Sequence, residues 1–233
     1  MIGINFGLAI DHGQFSLKHF PETASSFCIE SMSSVESHPD KNVIRVQLTQ
    51  NFVLLNLTEP ERHELEGLLT VVDCQKGDFL LHQGVHDMEQ YFVLDGILKR
   101  VVSNSQAKEM ILRFSDERSM ETSYAAWRLG TPTPYSIVSV TKARVAKLPL
   151  PVWVAFMREH PSIKLSFELA VMELMSEIMA HTITLHLLDA SGRVKRFVRK
   201  HPELFERIPK KELASYLNLS AETLSRLKQR GRI

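Results

Sequence analysis

Two charged side chains near the end of the chain, Glu222 and Arg226, have types and a spacing suited to reading DNA bases. Residues four apart on a helix project from the same face, so both would enter the same groove. In the major groove a Glu carboxylate can accept a hydrogen bond from cytosine N4, and an Arg guanidinium can bind guanine O6 and N7. The same spacing also suits a plain surface ion pair, so the two residues alone leave both interpretations open.

The residues around this pair extend the predicted surface. Ser220 precedes the helix as a good N-cap, and Thr223, Lys228 and Arg230 suit contacts with phosphate oxygens. The predicted DNA-binding set is Ser220, Ala221, Glu222, Thr223, Ser225, Arg226, Lys228 and Arg230.

Positive charge is concentrated in the same part of the chain. Residues 191–233 contain twelve Lys or Arg and four Glu, a net charge of +8, while the whole chain carries +1, which leaves −7 for the rest. This asymmetry is typical of a region that meets a polyanion, and a solvated charged face is the simpler alternative. Together with the Glu222–Arg226 pair, the charge favours DNA.

The sequence predicts that a helix-turn-helix positions this surface. Pro209 suits the first turn of a helix, because the N–H that proline lacks has no partner there. Leu213, Ala214 and Leu217 fall on one face of that helix, and Ala214 is small enough for a close crossing. Asn218 stands where a tight turn needs a left-handed backbone, which Asn tolerates well.

Before the basic segment, residues 161–188 have the composition of one long helix. Apolar residues lie all round this helix, so it must be covered on more than one side. One side would contact a β domain, and the other would contact the same helix of a second copy of the chain. A helix buried inside a larger monomer is the alternative. Ser191–Gly192, just beyond, predicts a hinge.

The stretch over 71–150 has the pattern of a β domain. Short runs of β-branched and aromatic residues are separated by turn signals such as Lys76-Gly77-Asp78 and Asp95-Gly96. Regular short strands of this kind indicate a small barrel or sandwich. Ahead of it, Thr58 and the acidic residues after it predict a helix start. Residues 1–45 show no sustained period, so we expect a loosely ordered extension.

The composition is that of an ordinary soluble globular protein, with 233 residues, 44% hydrophobic and 24% charged. This length suits two modest domains better than one. Two cysteines, Cys28 and Cys74, support neither a disulfide framework nor a four-cysteine metal site, and we expect Cys74 to be buried. Because there is no long apolar run and no secretion signal, we expect a cytoplasmic protein that does not enter the membrane.

From about Asn51 onwards the chain resembles the Crp/Fnr family of bacterial transcription regulators. The resemblance is carried by Lys76-Gly77-Asp78-Phe79-Leu80-Leu81-His82-Gln83-Gly84, Tyr91-Phe92-Val93-Leu94-Asp95-Gly96, Lys108-Glu109-Met110-Ile111-Leu112 and Ser220-Ala221-Glu222-Thr223-Leu224-Ser225-Arg226. It implies an α+β fold with an N-terminal jelly-roll-like β-roll, a long dimerisation helix and a C-terminal helix-turn-helix of the winged-helix type. The implied segments are an extension over 1–45, the β-roll over 46–160, the long helix over 161–189 and the DNA-binding domain over 190–233.

The sequence departs from this family at the residues that bind a cyclic nucleotide. The resemblance implies a Gly-Glu pair on the ribose and an Arg-Ser or Arg-Thr pair on the phosphate. Here no Gly-Glu occurs, and Thr133-Pro134 stands in place of the second pair. A buried phosphate without a paired cation is strongly disfavoured, so we expect no response to a cyclic nucleotide, although Arg118 could supply a cation from an unusual position. The candidate effector pocket is Arg118, Ser119, Glu121, Thr133 and Tyr135.

Other sensing chemistries and catalysis are also disfavoured. An iron–sulfur cluster needs about four thiolates, and two cysteines cannot supply them. Haem would need an axial ligand such as His82, His86, His181 or His186, and a helical histidine is more often packed or on the surface. Since no paired carboxylates, nucleophile–His arrangement or phosphate-cradling glycine loop is evident, we expect no metal site, no catalytic residue and no enzymatic activity.

The sequence therefore predicts a homodimeric, sequence-specific DNA-binding regulator joined through residues 161–188. Its expected partners are double-stranded DNA, a second copy of the chain and RNA polymerase. The wing that follows the recognition helix in this family is expected to be missing, with residues between Arg193 and Lys200 supplying phosphate contacts in its place. The alternative is a β-roll module that binds a small ligand or a protein without reading DNA.

Overall fold

The described part of the chain begins with short elements that lie against a β-roll. The computed structural model describes residues 32–106 and 108–229. Its first elements are β1 (Met32–Ser34), α1 (Lys41–Gln50) and α2 (Glu59–Leu68). The expectation of a loosely ordered extension is wrong for residues 32–45, because β1 pairs with a distant strand, with Met32 opposite Val72. The rest of that extension, residues 1–31, lies outside the described residues.

The predicted start of α2 is confirmed. The Glu61 carboxylate accepts hydrogen bonds from the backbone N–H and the hydroxyl of Thr58, both at 2.7 Å. The Thr58 N–H, which would otherwise have no partner at the start of the helix, is thereby satisfied.

The roll consists of two antiparallel sheets. Its further elements are β2 (Thr70–Cys74), β3 (Phe79–Leu81), β4 (Glu89–Asp95), β5 (Leu98–Ser103), β6 (Glu109–Ser115), β7 (Met120–Thr122), α3 (Tyr124–Leu129), β8 (Ser136–Ser139) and β9 (Ala143–Pro149). One sheet has the order β1-β2-β9-β4-β7 and the other β3-β8-β5-β6. Their inner faces share an apolar core that includes Tyr91, Ile137 and Cys74, which is 2% exposed as predicted. The predicted β domain is confirmed.

Gly96, in the turn between β4 and β5, has two reasons to be glycine. Its φ of +86° is a backbone conformation that other residues rarely adopt. A Cβ at this position would overlap the carbonyl oxygen of Lys142 and lie 2.7 Å from Ala143 Cα. The glycine therefore allows β5 to cross close to the start of β9.

Two helices cover one end of the roll. They are α4 (Leu150–Glu159) and α5 (Pro161–Leu187), which confirms the long helix predicted from the sequence. The ring of Phe167 in α5 makes edge contacts with Trp153 and Tyr124, at 5.6 and 5.1 Å between centroids. These buried aromatic rings attach α5 to the roll. No helix in the described part of the chain is long and apolar enough to cross a membrane.

The break between α5 and the C-terminal helices lies earlier than predicted. The Asp189 side chain accepts a hydrogen bond of 2.8 Å from the Gly192 N–H and so caps α6 (Ala190–Lys200). Ser191–Gly192 is thus the first turn of a helix, and the hinge predicted there is wrong. The extended residues are Leu188 and Asp189. The remaining helices are α7 (Pro202–Arg207), α8 (Lys210–Tyr216) and α9 (Ala221–Gln229).

The C-terminal helices pack against the outer face of the β3-β8-β5-β6 sheet. Ile111 and Phe114 of the sheet share one apolar cluster with Phe197 and Leu213. The Phe114 ring lies 5.1 Å from the ring of Tyr216. At the edge of this contact Lys99 Nζ lies 2.9 Å from a Glu212 carboxylate oxygen. The helix-turn-helix is therefore docked on the roll of its own chain.

Candidate nucleic-acid interface and the interior of the roll

A tight turn joins α8 to α9. Asn218 has a φ of +52°, the left-handed conformation predicted for it. The N–H of Leu219 donates to the Ala214 carbonyl at 2.9 Å, and Leu213, Ala214 and Leu217 are buried. Ser220 Oγ accepts a 3.1 Å hydrogen bond from the Thr223 N–H, which makes Ser220 the N-cap of α9. Local sequence chemistry thus sets the angle at which α9 leaves the turn.

The outward face of α9 carries the predicted base-reading residues. Leu224 points inward and is 5% exposed, while Ala221, Glu222, Arg226 and Lys228 are exposed. Thr223 and Ser225 are partly buried at the edges of this face. Arg230, the last residue of the predicted set, lies outside the described residues, as does the end of the chain where a wing was expected to be missing.

Glu222 and Arg226 do not form the surface ion pair that was the alternative interpretation. Among the described residues, the hydrogen bond that Arg226 makes is to Thr223 Oγ1 at 3.3 Å, and no ion pair joins it to Glu222. Both charged groups therefore face solvent with most of their hydrogen-bonding capacity unused. This arrangement suits a ligand that supplies both donors and acceptors.

Arg193 has a structural role, and its predicted role as a phosphate contact is wrong. Its guanidinium donates to the carbonyls of Leu185 at 2.7 Å, Leu188 at 2.9 Å and Leu217 at 3.2 Å. It thereby satisfies the free carbonyls at the ends of α5 and α8 and is not available to DNA. Lys200 forms an ion pair of 3.0 Å with Glu177 of α5.

The candidate effector pocket is only partly assembled. Glu121 is fully buried and forms an ion pair with Arg100, itself 2% exposed. Tyr135 lies under the same guanidinium, with its ring centroid 4.0 Å from Arg100 Cζ, and Thr133 Oγ1 donates to the Tyr135 carbonyl at 3.2 Å. Glu121 and Tyr135 thus converge on a protein cation, and Thr133 contacts Tyr135.

Arg118 and Ser119 do not join them. Arg118 is exposed in the turn between β6 and β7, with a φ of +69°. Ser119 Oγ donates to the Asp116 carbonyl at 2.6 Å. The proposal that Arg118 supplies a cation to the pocket is therefore wrong, because the turn directs this residue to solvent.

The charges inside the roll are already paired. Glu121 also accepts from Ser115 and lies 3.3 Å from Arg113 Nη1. Burial opposes ionisation of Glu121, but Arg100 and Arg113 outweigh it and hold its pKa below the ordinary value. A cyclic phosphate would have to displace Glu121 to reach Arg100. The residues present thus fit a closed internal ion pair better than an anionic ligand.

Sequence reasoning missed Arg100 and Arg113. One signal was available for Arg100, since it follows Leu98 by two in a β-rich run and so falls on the same face of the strand as that buried leucine. An arginine on a buried face requires a buried acid, and only the fold identifies that acid as Glu121.

One cluster in the described part of the chain has metal-ligand spacing. Glu64, Glu159 and His160 present ligand atoms within 4.8 Å of one another. The two glutamates are exposed, and His160 Nδ1 already lies 3.1 Å from Glu61. Exposed acids gathered around a histidine are explained by ordinary ion pairs.

Two histidines considered as haem ligands are packed against aromatic rings. His82 stacks on Phe79 with centroids 4.4 Å apart, and His181 stacks on Tyr216 at 3.7 Å. Burial lowers the pKa of His181 to about 4, so its ring is neutral at physiological pH.

Comparison with known proteins shows which of them share this architecture. Residues 71–160 match the family model of the cyclic nucleotide-binding domain. No curated protein sequence is significantly similar to the chain. Among solved structures, the c-di-GMP responsive global regulator CLP of Xanthomonas campestris has a TM-score of 0.63 at 13% identity, with 75% of this chain and 93% of that one covered.

Two further solved structures are similar to this chain over most of its length. FixK2 of Bradyrhizobium japonicum gives a TM-score of 0.61 at 15% identity, covering 70% of this chain and 86% of that one. A regulator from Eubacterium rectale assigned to the crp/fnr family gives a TM-score of 0.60 at 14% identity, with 76% of this chain and 85% of that one covered. The chain has the fold of the Crp/Fnr regulators. The resemblance predicted from the sequence is confirmed at the level of this fold.

Proposed function

We propose that this chain is a homodimeric transcription regulator of the Crp/Fnr type that binds DNA sequence-specifically through α9. The observation that carries the proposal is the outward face of α9, where exposed Glu222 and Arg226 stand on a rigidly capped helix without pairing with each other. A charged pair left unpaired on such a helix has no evident structural purpose. Base edges in a major groove supply the matching donors and acceptors.

Dimer formation is supported by the exposed side of α5. Seven large apolar side chains on one face of this helix are between 49% and 77% exposed. They are Leu165, Leu169, Met172, Met175, Met179, Ile183 and Leu187. A continuous apolar stripe of this length on a monomer is unfavourable in water. A second copy of the chain covers it best, because a twofold axis brings the same stripe of each copy together.

In such a dimer, the two α9 helices would enter successive major grooves about 34–36 Å apart on a near-palindromic site. Arg226 would bind guanine, Glu222 would accept from cytosine, and Thr223 and Lys228 would contact phosphates. RNA polymerase is a further proposed partner. We propose no response to a cyclic nucleotide, since Arg100 is already neutralised by Glu121.

The test is binding to duplex DNA. A preferred site is first selected from random duplexes, and affinities are then measured by fluorescence anisotropy at several salt concentrations. Arg226→Ala is expected to cost about 1–3 kcal/mol on the preferred site and much less on random DNA. Arg128→Ala, which removes an equally exposed arginine from α3, is the matched control and should bind as the unsubstituted chain does.

If Arg226→Ala weakens binding to the preferred site and to random DNA equally, Arg226 is a phosphate contact and its base-reading role is refuted. Failure of the full chain to bind any duplex at low salt would refute DNA binding altogether. That second result would favour the β-roll module that binds a small ligand or a protein. CLP and the Eubacterium rectale protein, two of the structures similar to this chain, are described as regulators, and we propose no catalytic activity.

The dimer is tested by sedimentation equilibrium. Met179→Glu places a charge in the centre of the stripe and should shift the mass towards the 26.6 kDa of one chain. Ala125→Glu introduces the same charge at an exposed position of α3 and should leave the dimer intact. A stable dimer in both variants would show that another surface joins the copies.

A further inference from the structure

A cavity of about 50 Å³ lies between the roll and the helix-turn-helix. Its walls come from β6, α5, α6 and α8, so residues of both domains line it. The space exceeds that of one ordered water and suits a small polyatomic group. We call it the interdomain cavity.

Positive charge predominates in the walls of the interdomain cavity. Arg113, Arg193, Arg196 and Lys200 contribute cations, and Arg193 already donates to the carbonyls of Leu185 and Leu188, whereas the carboxylate there is that of Glu177. Glu177 is shared between Arg113, at 3.7 Å, and Lys200, at 3.0 Å. Arg196 is partly buried and forms no ion pair or hydrogen bond with any residue in the described ranges. A half-buried arginine without a partner is costly unless an anion accompanies it.

Two polar atoms of the same wall are buried without a partner among the residues that the structure describes. They are Arg113 Nε and His181 Nε2, each inaccessible to solvent and without a hydrogen bond to any of those residues. The Nε–H of arginine can only donate, so it requires an acceptor. Buried polar groups are nearly always satisfied, so two such atoms in one cavity indicate that the cavity binds a polar ligand.

We infer that the interdomain cavity binds a small oxyanion, namely a phosphoryl group, between Arg113 and Arg196. A phosphoryl group carries several acceptor oxygens and up to two negative charges, which matches both the free donor and the unpaired cation. Because its ligands come from the β6 strand and the α6 helix, the bound group joins the roll to the DNA-binding domain. This site is independent of the proposed DNA binding and requires no DNA to be detected.

The test titrates inorganic phosphate into the full-length chain without DNA, at constant ionic strength, and follows binding by calorimetry. Arg196→Gln should weaken binding by about tenfold or more, the usual effect of losing one charge-assisted bond. Arg199→Gln removes the same charge one turn away on α6, outside the cavity wall, and should change the affinity by less than about twofold.

A second, local measurement follows the His181 imidazole by NMR, since its Nε2 lies in the wall. Its resonances should shift with phosphate in the unsubstituted chain and not in Arg196→Gln. A parallel titration with glycerol phosphate distinguishes a site for phosphorylated metabolites from one for free phosphate. Absence of binding, or equal weakening by Arg196→Gln and Arg199→Gln, would overturn the inference.

Discussion

Replacing Glu121 by glutamine removes a carboxylate on which two arginines depend. Arg100 is 2% exposed and Glu121 fully buried, so water cannot replace the lost charge. Arg113 loses one of its two acidic partners and keeps Glu177 at 3.7 Å. Glutamine has nearly the same size and can still accept hydrogen bonds, so the substitution isolates the charge from the packing.

The expected cost follows from leaving a buried guanidinium without its counter-charge. Breaking a buried ion pair by removing one partner typically costs about 3–5 kcal/mol. Because the glutamine oxygen can still accept from Arg100, we expect the lower end, about 3 kcal/mol. This is a large part of the roughly 5–15 kcal/mol that stabilises a typical domain.

The assay is urea unfolding followed by the fluorescence of buried Trp153. Glu168→Gln is the control, since it breaks an exposed 3.9 Å contact with Lys164 and should cost no more than about 0.5 kcal/mol. If Glu121→Gln is too unstable to measure, the double variant Arg100→Met with Glu121→Met removes both charges and should recover much of the loss. A change below about 1 kcal/mol for Glu121→Gln, or a double variant less stable than the single one, would refute the assignment of this pair as a buried ion pair.

Three further predictions concern packing and pH. Gly96→Ala should destabilise the chain by about 2–3 kcal/mol in urea unfolding, because the φ of +86° and the close Lys142 carbonyl both oppose a Cβ; a neutral result would show that the turn relaxes freely. Phe167→Ala should cost about 3–5 kcal/mol, while Leu187→Ala, 77% exposed, should cost much less to the folding of one chain. The neutral form of His181 is favoured in the folded chain, where its pKa is about 4, below the ordinary 6.5. Between these two pKa values the unfolded chain therefore binds more protons than the folded chain. The stabilisation that His181 gives to the folded chain is complete above pH 6.5 and is lost as the pH falls towards 4. Discounted for the exposed part of the ring, this contribution of His181 to the free energy of unfolding should be about 1–2 kcal/mol. The prediction is contradicted if the stabilities of His181→Gln and of the unsubstituted chain change equally with pH over this window.

The features that the sequence predicts well are local. The helix start at Thr58, the left-handed Asn218 and the cap at Ser220 each depend on residues within four positions. The partners in these hydrogen bonds lie within the same few residues, so residue type and spacing suffice to predict them. The β runs are predictable for a related reason, since strand and turn preferences recur over a few residues.

The features that the sequence does not predict are long-range. β1 is ordered by pairing with β2, and no hydrophobic periodicity in the sequence around β1 predicts this pairing. Arg118 and Glu121 are three apart in the chain, yet one is exposed on a turn and the other is fully buried. The hinge was misplaced because Ser191–Gly192 has the composition of a break, while the capping hydrogen bond from Gly192 to Asp189 makes it helical. In each case a partner elsewhere in the fold decides the outcome.

An ion pair between the roll and α7 affects how a change in the roll can reach the C-terminal helices. Glu117, next to the turn between β6 and β7, accepts from the Gly96 N–H at 2.9 Å and from Arg207 Nη1 at 2.8 Å. The Gly96 turn also packs closely against Lys142, just before β9. A displacement of this turn away from α7 would break the ion pair between Glu117 and Arg207. Arg207 thus links α7 to the β4–β5 turn, and a ligand shifts the position of α7 only if its affinity differs between the arrangement in which this ion pair is formed and the one in which it is broken.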